Sequence, residues 1–192
     1  MIIHPSIASS KSLNFEKTIA FIDDSFGYIH IDIEDGNYVP NITFGKSIYN
    51  MIVGATKSRI SVHLMVNNPL DYLDFIVESK PEIVFIHIDH LRYPLYVINA
   101  YRQHGIEVGI ALNPSAEFEK TYYLDYKPRL LLMLSEPDNL NQNFREELMT
   151  KVSKYIDLGY DVWCDGGINS ENIKKLAALG VNNVVMGRAI FE

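Results

Sequence analysis

The sequence lacks the features that would assign it to a membrane, a secretory route or a nucleic-acid complex. Its single cysteine, Cys164, cannot form an internal disulfide, so a reducing cytoplasm is the expected location. There is no run of about 20 apolar residues, and the first residues lack a basic region followed by an apolar stretch. We therefore expect neither a membrane span nor a signal peptide. Lys and Arg form no cluster and the formal net charge is −7, which argues against a nucleic-acid surface.

The remaining composition is that of an ordinary globular protein. Apolar residues make up 47% of the 192 residues and charged residues 21%. There is no linker and no low-complexity tract, so we expect residues 1–192 to form one domain with a sizeable core.

One stretch, from Tyr28 to Gly36, alternates strictly between apolar and polar residues, which predicts a strand. Its two faces would carry Ile29, Ile31 and Ile33 on one side and His30, Asp32 and Glu34 on the other. Burying unpaired charges is costly, so the polar face must be solvated, paired or bound to a cation. A strand with a solvent-exposed polar face stays open as the simpler alternative. Asp35-Gly36 ends the strand at a turn, which leaves the polar side chains at its C-terminal end.

Seven further strands alternate with predicted helices along the chain. They are expected at Ile2–Ile3, Ile60–Met65, Ile83–Asp89, Val108–Leu112, Leu130–Leu134, Asp161–Asp165 and Asn183–Met186. Such alternation indicates a parallel sheet, and eight units indicate a closed (β/α)8 barrel, the TIM-barrel fold. A weak helix is predicted at Phe118–Leu124. Because the sequence ends at Glu192, soon after the eighth strand, we expect the eighth helix to be absent or to lie beyond this sequence.

Four suitable metal ligands would meet at the C-terminal rim of such a barrel. They are His30 and Asp32 on strand two, His63 on strand three and Asp165 on strand seven. Two imidazoles and two carboxylates suit one divalent cation such as zinc, iron, manganese or cobalt. A single histidine on a strand is more often satisfied by a hydrogen bond, so the metal hypothesis depends on the fold. His87 and Asp89 would form either a further polar pair on the rim or a support for the ligands.

Glycines follow the last two strands of the predicted barrel. Gly166 and Gly167 come after strand seven, and Gly187 comes after strand eight. Barrels of this kind commonly bind a phosphate between these two loops, on backbone N–H groups and a helix N-terminus. Glycines also punctuate loops in general, but their presence at both expected loops favours an anion site.

Several segments, in order along the whole chain, resemble the ribulose-phosphate 3-epimerase family. They are Pro5-Ser6-Ile7, His30-Ile31-Asp32, Asp35-Gly36, the run from Val39 to Gly45, His63-Leu64-Met65-Val66, Asp165-Gly166-Gly167-Ile168 and Gly187 with Ala189-Ile190-Phe191. The resemblance implies a barrel enzyme that inverts C3 of a ketose phosphate and holds a divalent metal at His30, Asp32, His63 and Asp165. It further implies that Asp32 and Asp165 are the acid/base pair. By the same resemblance, Ser6 contacts the substrate and Met65 and Met133 line the pocket.

The chemistry of an epimerase explains why such residues are needed. Removal of a proton next to a carbonyl creates an enediolate, which a metal bridging its two oxygens would stabilise as a Lewis acid. Inversion requires proton removal on one face and proton return on the other, and Asp32 and Asp165 would supply both steps.

The sequence departs from the family pattern around the expected substrate. Glu34 stands where the family has Met, and Arg188 stands where it has Ser. The glycine-rich loop after strand six is replaced by Pro137–Gln142, in which Asp138 adds a negative charge. We expect an anion site at Gly166, Gly167, Gly187 and Arg188. The departures predict a ketose phosphate other than, or in addition to, ribulose 5-phosphate, with Glu34 and Arg188 setting the difference.

Three functions are therefore considered. The first is a metal-dependent ketose-phosphate 3-epimerase that acts on a small sugar phosphate. The second is an enolate-forming lyase or aldolase on the same barrel, and the third is a non-catalytic sugar-phosphate-binding protein. The presence of both Asp32 and Asp165 argues against the third, because binding alone does not need a carboxylate on each face of the substrate. A homo-oligomer is the expected assembly.

Overall fold

The computed structural model describes residues 1–118, 125–136 and 143–192. Its strands are β1 Ile2–Pro5, β2 Tyr28–Glu34, β3 Arg59–Met65, β4 Ile83–His87, β5 Glu107–Leu112, β6 Leu130–Met133, β7 Val162–Asp165 and β8 Asn183–Met186. Its α-helices are α1 Phe15–Ser25, α2 Lys46–Ala55, α3 Leu73–Ser79, α4 Pro94–Arg102, α5 Met149–Asp157, α6 Asn172–Leu179 and α7 Arg188–Phe191. Short 3₁₀ turns occur at Ile7–Ser9, Pro69–Tyr72 and Glu146–Leu148.

The eight strands form one parallel sheet that curls into a barrel. Their order is β1-β8-β7-β6-β5-β4-β3-β2, and every pairing is parallel. The two ends of the sheet, β1 and β2, meet at a parallel bridge between Ser6 and His30. The predicted (β/α)8 barrel is therefore confirmed, and the helix that follows β8 is only four residues long.

Alternation along each strand divides the residues between two packed regions. The outward residues Ile29, Ile31 and Ile33 of β2 are fully buried in the cluster that also includes residues of the surrounding helices, such as Ile22 and Ile52. A second cluster consists of side chains inside the barrel, namely Ile83, Phe85, Ala111, Leu131, Met133, Trp163 and Val185. All of these come from β4 to β8. The inward positions of β1 to β3 are mostly polar, and this asymmetry places the polar groups on one side of the barrel interior.

All eight predicted strands lie within two residues of the observed ones at either end, and β2 and β8 agree at both ends. The largest differences at a strand end are two residues. β4 ends at His87, before the predicted Asp89, and β1 runs on to Pro5. The weak helix predicted at Phe118–Leu124 lies, apart from Phe118, outside the described residues, as does the loop Pro137–Gln142. Among the helices in the described ranges, none is long and apolar enough to cross a membrane.

Candidate active site

A cleft of about 570 Å³ opens at the C-terminal ends of the strands, and the predicted site residues lie around it. Its lining includes Ser6, Asp32, Glu34, Met65, Met133, Asp165, Gly166, Gly167, Gly187 and Arg188. His30 and His63 are fully buried beside it, in contact with Asp32. The structure therefore brings all twelve predicted residues together.

The polar face of β2 is buried, which excludes the alternative of a solvent-exposed strand. His30 is 0% exposed, Asp32 8% and Glu34 7%. The Asp32 carboxylate receives several partners: Ser6 Oγ donates to its Oδ2 at 2.5 Å, and ring nitrogens of His30 and His63 lie 3.3 Å from its Oδ1. A buried carboxylate needs such partners because an unpaired buried charge is strongly unfavourable.

The four proposed ligands form one compact group. One donor atom from each of His30, Asp32, His63 and Asp165 lies within 4.8 Å of all the others. His63 Nδ1 faces both carboxylates, at 3.3 Å from Asp32 and 3.9 Å from Asp165. Zinc–ligand distances of about 2.0–2.2 Å require ligand atoms that are roughly 3–4 Å apart, so this spacing is close to that of a loaded site.

The hydrogen bonds around the two histidines also fit a metal. His30 Nδ1 forms a hydrogen bond with Ser61 Oγ at 2.8 Å, while the buried His30 Nε2 has no hydrogen-bond partner. His63 turns Nδ1 to the carboxylates, and its Nε2 lies 2.9 Å from His87 Nε2. Each ring thus has one nitrogen held by a neighbour and the other directed at the cluster, as ligating histidines do. The residues present fit a divalent cation.

His87 supports His63 and does not form a rim pair with Asp89. The hydroxyl of Tyr38 donates to Asp89 at 3.2 Å, and the Tyr38 ring packs on His87 with centroids 4.8 Å apart. Burial lowers the pKa of His87, and the proximity of His63 lowers it further. Of the two alternatives considered for this pair, the supporting role of His87 is the one that the geometry favours.

The two carboxyl groups of the cluster differ in their electrostatics. Burial alone would raise the pKa of Asp32, but the adjoining His30 and His63 outweigh burial and hold it well below its usual range. Burial and the negative charge of Asp32 raise the pKa of Asp165 to about 7. The two carboxyl groups therefore differ in pKa, and Asp32 is the more readily ionised of the two.

Glu34 extends the site toward the loop that follows β2. Its Oε2 accepts a hydrogen bond from Asn41 Nδ2 at 2.6 Å, and its backbone N–H donates to Thr43 Oγ1 at 3.0 Å. Thr43 in turn donates to the backbone carbonyl of Asp32 at 2.7 Å, which fastens the loop to β2. Burial and the charge of Asp32 raise the pKa of Glu34 to about 7, against the effect of Asn41.

The glycines at the other end of the cleft are required by close contacts. Gly166 has a φ of +105°, and a Cβ there would lie 2.5 Å from Ser135 Oγ and 2.7 Å from Ser135 N. A Cβ on Gly187 would collide with the side chain of Ser9. Arg188 begins α7 and lines the cleft next to these glycines. Backbone and guanidinium donors can bind an anion here.

Several residues of the site had no role assigned to them from the sequence. Asn41 and Thr43 lie in the segment Val39–Gly45, and Ser135 follows β6. Ser61 shares its face of β3 with His63, so its inward position was readable from the alternation. The contact of Ser61 with His30 could not be predicted from the alternation, because it depends on the register between β2 and β3.

Comparisons with known proteins agree with this geometry. A sequence model of the ribulose-phosphate 3 epimerase family matches residues 2–191. The ribulose-phosphate 3-epimerase of Helicobacter pylori (strain J99) is 33% identical over 199 residues, which cover 100% of this chain and 91% of that protein. The ribulose-phosphate 3-epimerase of Mycobacterium tuberculosis (strain H37Rv) is 31% identical over 199 residues, covering 99% and 86%.

A solved structure shows the same fold at low sequence identity. The tryptophan synthase A-subunit from Pyrococcus furiosus superimposes with a TM-score of 0.71 at 14% identity, covering 100% of this chain and 88% of that chain. This likeness shows the barrel alone. The family match and the full-length relatives go further: the chain belongs to the ribulose-phosphate 3-epimerase family and is an isomerase that acts on a carbohydrate phosphate.

Proposed function

We propose that the protein is a metal-dependent epimerase that inverts C3 of a ketose phosphate by proton transfer between two carboxyl groups. The observation that carries this proposal is the meeting of Asp32 and Asp165 beside His30 and His63 at one end of the cleft. Asp32 comes from β2 and Asp165 from β7, with β8 and β1 between them. Two carboxyl groups reaching the cleft from separate strands can address a substrate carbon from two directions.

The residues divide the reaction between them. One of Asp32 and Asp165 removes the C3 proton and the other returns a proton to the opposite face, with the roles exchanged in the reverse reaction. Ser6 holds the Asp32 carboxylate in place through its 2.5 Å hydrogen bond. The loops at Gly166, Gly167 and Gly187 bind the phosphate. A divalent metal at His30, Asp32, His63 and Asp165 would supply Lewis-acid stabilisation of the charge that develops on the substrate oxygens.

Variants of the carboxyl groups test the catalytic assignment. Asp32→Asn or Asp165→Asn should each lower turnover by at least about 10²-fold, the usual contribution of a positioned acid or base. Asp125→Asn is the matched control, because Asp125 is an exposed partner of Arg102 far from the cleft. Metal content is measured in every variant, since both residues are also proposed ligands. Near wild-type turnover in both Asn variants would refute the assignment.

Metal analysis of the purified protein tests the ligand set. We expect one divalent ion per chain, lost in His63→Ala and kept in His104→Ala, which removes an exposed histidine. Full occupancy in His63→Ala would contradict the proposed site.

We further propose that Glu34 and Arg188 set the substrate preference, so that the enzyme accepts a phosphorylated ketose other than, or in addition to, ribulose 5-phosphate. Glu34 is 7% exposed and lines the cleft, so its carboxyl group faces the substrate rather than bulk water. A buried polar group penalises a substrate that leaves it unpaired, whereas an apolar pocket cannot reward an additional hydroxyl.

Comparison of two substrates tests this preference. The kcat/KM values for ribulose 5-phosphate and for a six-carbon ketose 6-phosphate are measured in the wild type and in Glu34→Met. The variant should shift the ratio toward ribulose 5-phosphate, while Glu146→Met, at an exposed position that does not line the cleft, should not. A wild type that prefers ribulose 5-phosphate, with an unchanged ratio in Glu34→Met, would show that Glu34 has no part in specificity.

A further inference from the structure

A chain of buried polar side chains crosses the barrel interior from β8 to the proposed ligand His30. His4 Nε2 lies 3.2 Å from Asn183 Oδ1, and His4 Nδ1 lies 3.3 Å from Ser61 Oγ. Ser61 Oγ lies 2.8 Å from His30 Nδ1. His4, Ser61 and His30 are each at most 2% exposed. Four strands thus contribute one member each to a continuous series of hydrogen bonds.

The direction of these hydrogen bonds follows from the end at β8. The Asn183 carbonyl oxygen only accepts, so His4 Nε2 must carry the hydrogen. Burial lowers the pKa of His4 to about 4, so its ring is neutral and Nδ1 is an acceptor. The Ser61 hydroxyl then donates to His4 Nδ1, and its oxygen is left to accept from His30 Nδ1–H. A neutral His30 consequently has its lone pair on Nε2, the nitrogen that faces Asp32.

We infer that His4 and Ser61 are positioning residues, which fix the tautomer and the ring orientation of His30 so that Nε2 is presented as a metal ligand. The inference rests on the proposed metal site. A ring nitrogen that carries a hydrogen cannot bind a cation, and the other nitrogen sets which tautomer is present. Without Ser61, the ring would be free to place its hydrogen on Nε2 and to donate it to Asp32.

Stability alone does not account for these residues. Most inward positions on β5 to β8 are filled by apolar side chains such as Ala111, Leu131 and Val185. Apolar residues of similar size at positions 4 and 61 would complete the same packing without the desolvation of three polar groups. A role in orienting His30, the last residue of the hydrogen-bonded series, would explain why these positions are polar.

Nitrogen-15 NMR of the histidine rings tests the tautomer directly. In the metal-free protein at alkaline pH, we expect His30 to carry its hydrogen on Nδ1, and we expect the same in the zinc-loaded protein. In Ser61→Ala the metal-free His30 ring should lose this preference and show the Nε2–H form. A wild-type His30 with the hydrogen on Nε2 would overturn the inference, and this measurement stands even if a variant does not fold.

Metal affinity provides the second readout. Zinc affinity, measured by competition with a chelator, should fall by about 10- to 100-fold in Ser61→Ala, the usual effect of losing a partner of a ligating histidine. His4→Phe keeps the ring packing, and in this variant the Ser61 hydroxyl can donate to the Ile29 carbonyl, which lies 3.4 Å from Ser61 Oγ. Zinc affinity should therefore fall less in His4→Phe than in Ser61→Ala. Ser79→Ala is the matched control, since Ser79 bonds Tyr49 outside the barrel.

The outcomes separate this inference from the proposed function. Wild-type affinity in Ser61→Ala would overturn the inference and leave the metal site standing. A wild type that binds no divalent metal would refute the metal site and, with it, the positioning role of His4 and Ser61. Metal binding and the expected tautomer in a protein without epimerase activity would support the inference and contradict the proposed reaction.

Discussion

Replacement of His4 by Phe should remove the contribution of His4 to the pH dependence of stability below neutral pH. His4 is 1% exposed, and burial lowers its pKa from 6.5 to about 4. As the pH falls, the unfolded chain takes up a proton at this position before the folded chain does, so the folded state loses stability between about pH 6.5 and pH 4. The total loss is about 3 kcal/mol, because each pKa unit corresponds to about 1.4 kcal/mol. Between about pH 8 and pH 5 the loss is about 2 kcal/mol.

The substitution is suited to this test because it keeps the ring contacts. His4 packs on Tyr28 and Trp163 with centroid distances of 4.8 Å and 4.2 Å, and a Phe ring can keep both contacts. Above pH 7 the variant should be less stable than the wild type, since Asn183 loses its hydrogen-bond partner.

Urea denaturation of both metal-free proteins at a series of pH values measures the effect. Other buried groups titrate in both proteins and cancel in the difference between their free energies of unfolding. The stability advantage of the wild type should shrink by about 2 kcal/mol between about pH 8 and pH 5. A difference that stays constant within about 0.5 kcal/mol would show that His4 does not resist protonation, and would refute the reasoning.

Two glycine substitutions test the packing inside the barrel and at the cleft, and a third serves as a control. Gly109→Ala places a Cβ against the Phe85 ring, so it should lower the free energy of unfolding by about 1–3 kcal/mol, and Phe85→Leu in the same chain should restore part of the loss in urea denaturation. Gly166→Ala should both destabilise the fold and raise KM for the phosphorylated substrate, because of its φ of +105° and its contact with Ser135. Gly27→Ala, with a φ of +70° and open space around its Cβ, should cost stability without changing KM.

Local patterns were sufficient to predict the barrel. The strict alternation of Tyr28–Glu34 predicted β2 with both of its ends, because side-chain direction in a strand has a period of two residues. The same rule put His63 and Asp165 on inward faces at the C-terminal ends of their strands. Once eight parallel strands are closed into a barrel, those ends must meet at one rim, so the proposed ligand set followed from the topology.

The interactions that join distant strands could not be predicted in this way. The contact of His4 with Ser61 and the contact of Ser61 with His30 depend on the stagger of β1, β2 and β3, which the sequence pattern of one strand does not contain. Likewise, Asn41 reaches Glu34 only because the loop after β2 folds back over the strand end. Such loop conformations are set by several weak contacts together rather than by a repeated pattern.

The central claim is that this chain inverts C3 through proton exchange with the solvent, and deuterium incorporation from heavy water tests it most directly. Purified, metal-loaded protein is incubated with ribulose 5-phosphate, and with a six-carbon ketose 6-phosphate, and each sugar is examined by NMR. We expect deuterium at C3 together with the C3 epimer, at a rate that falls by at least about 10²-fold in Asp165→Asn. Deuterium at C1 alone, or no incorporation into any ketose phosphate by the metal-loaded protein, would contradict it.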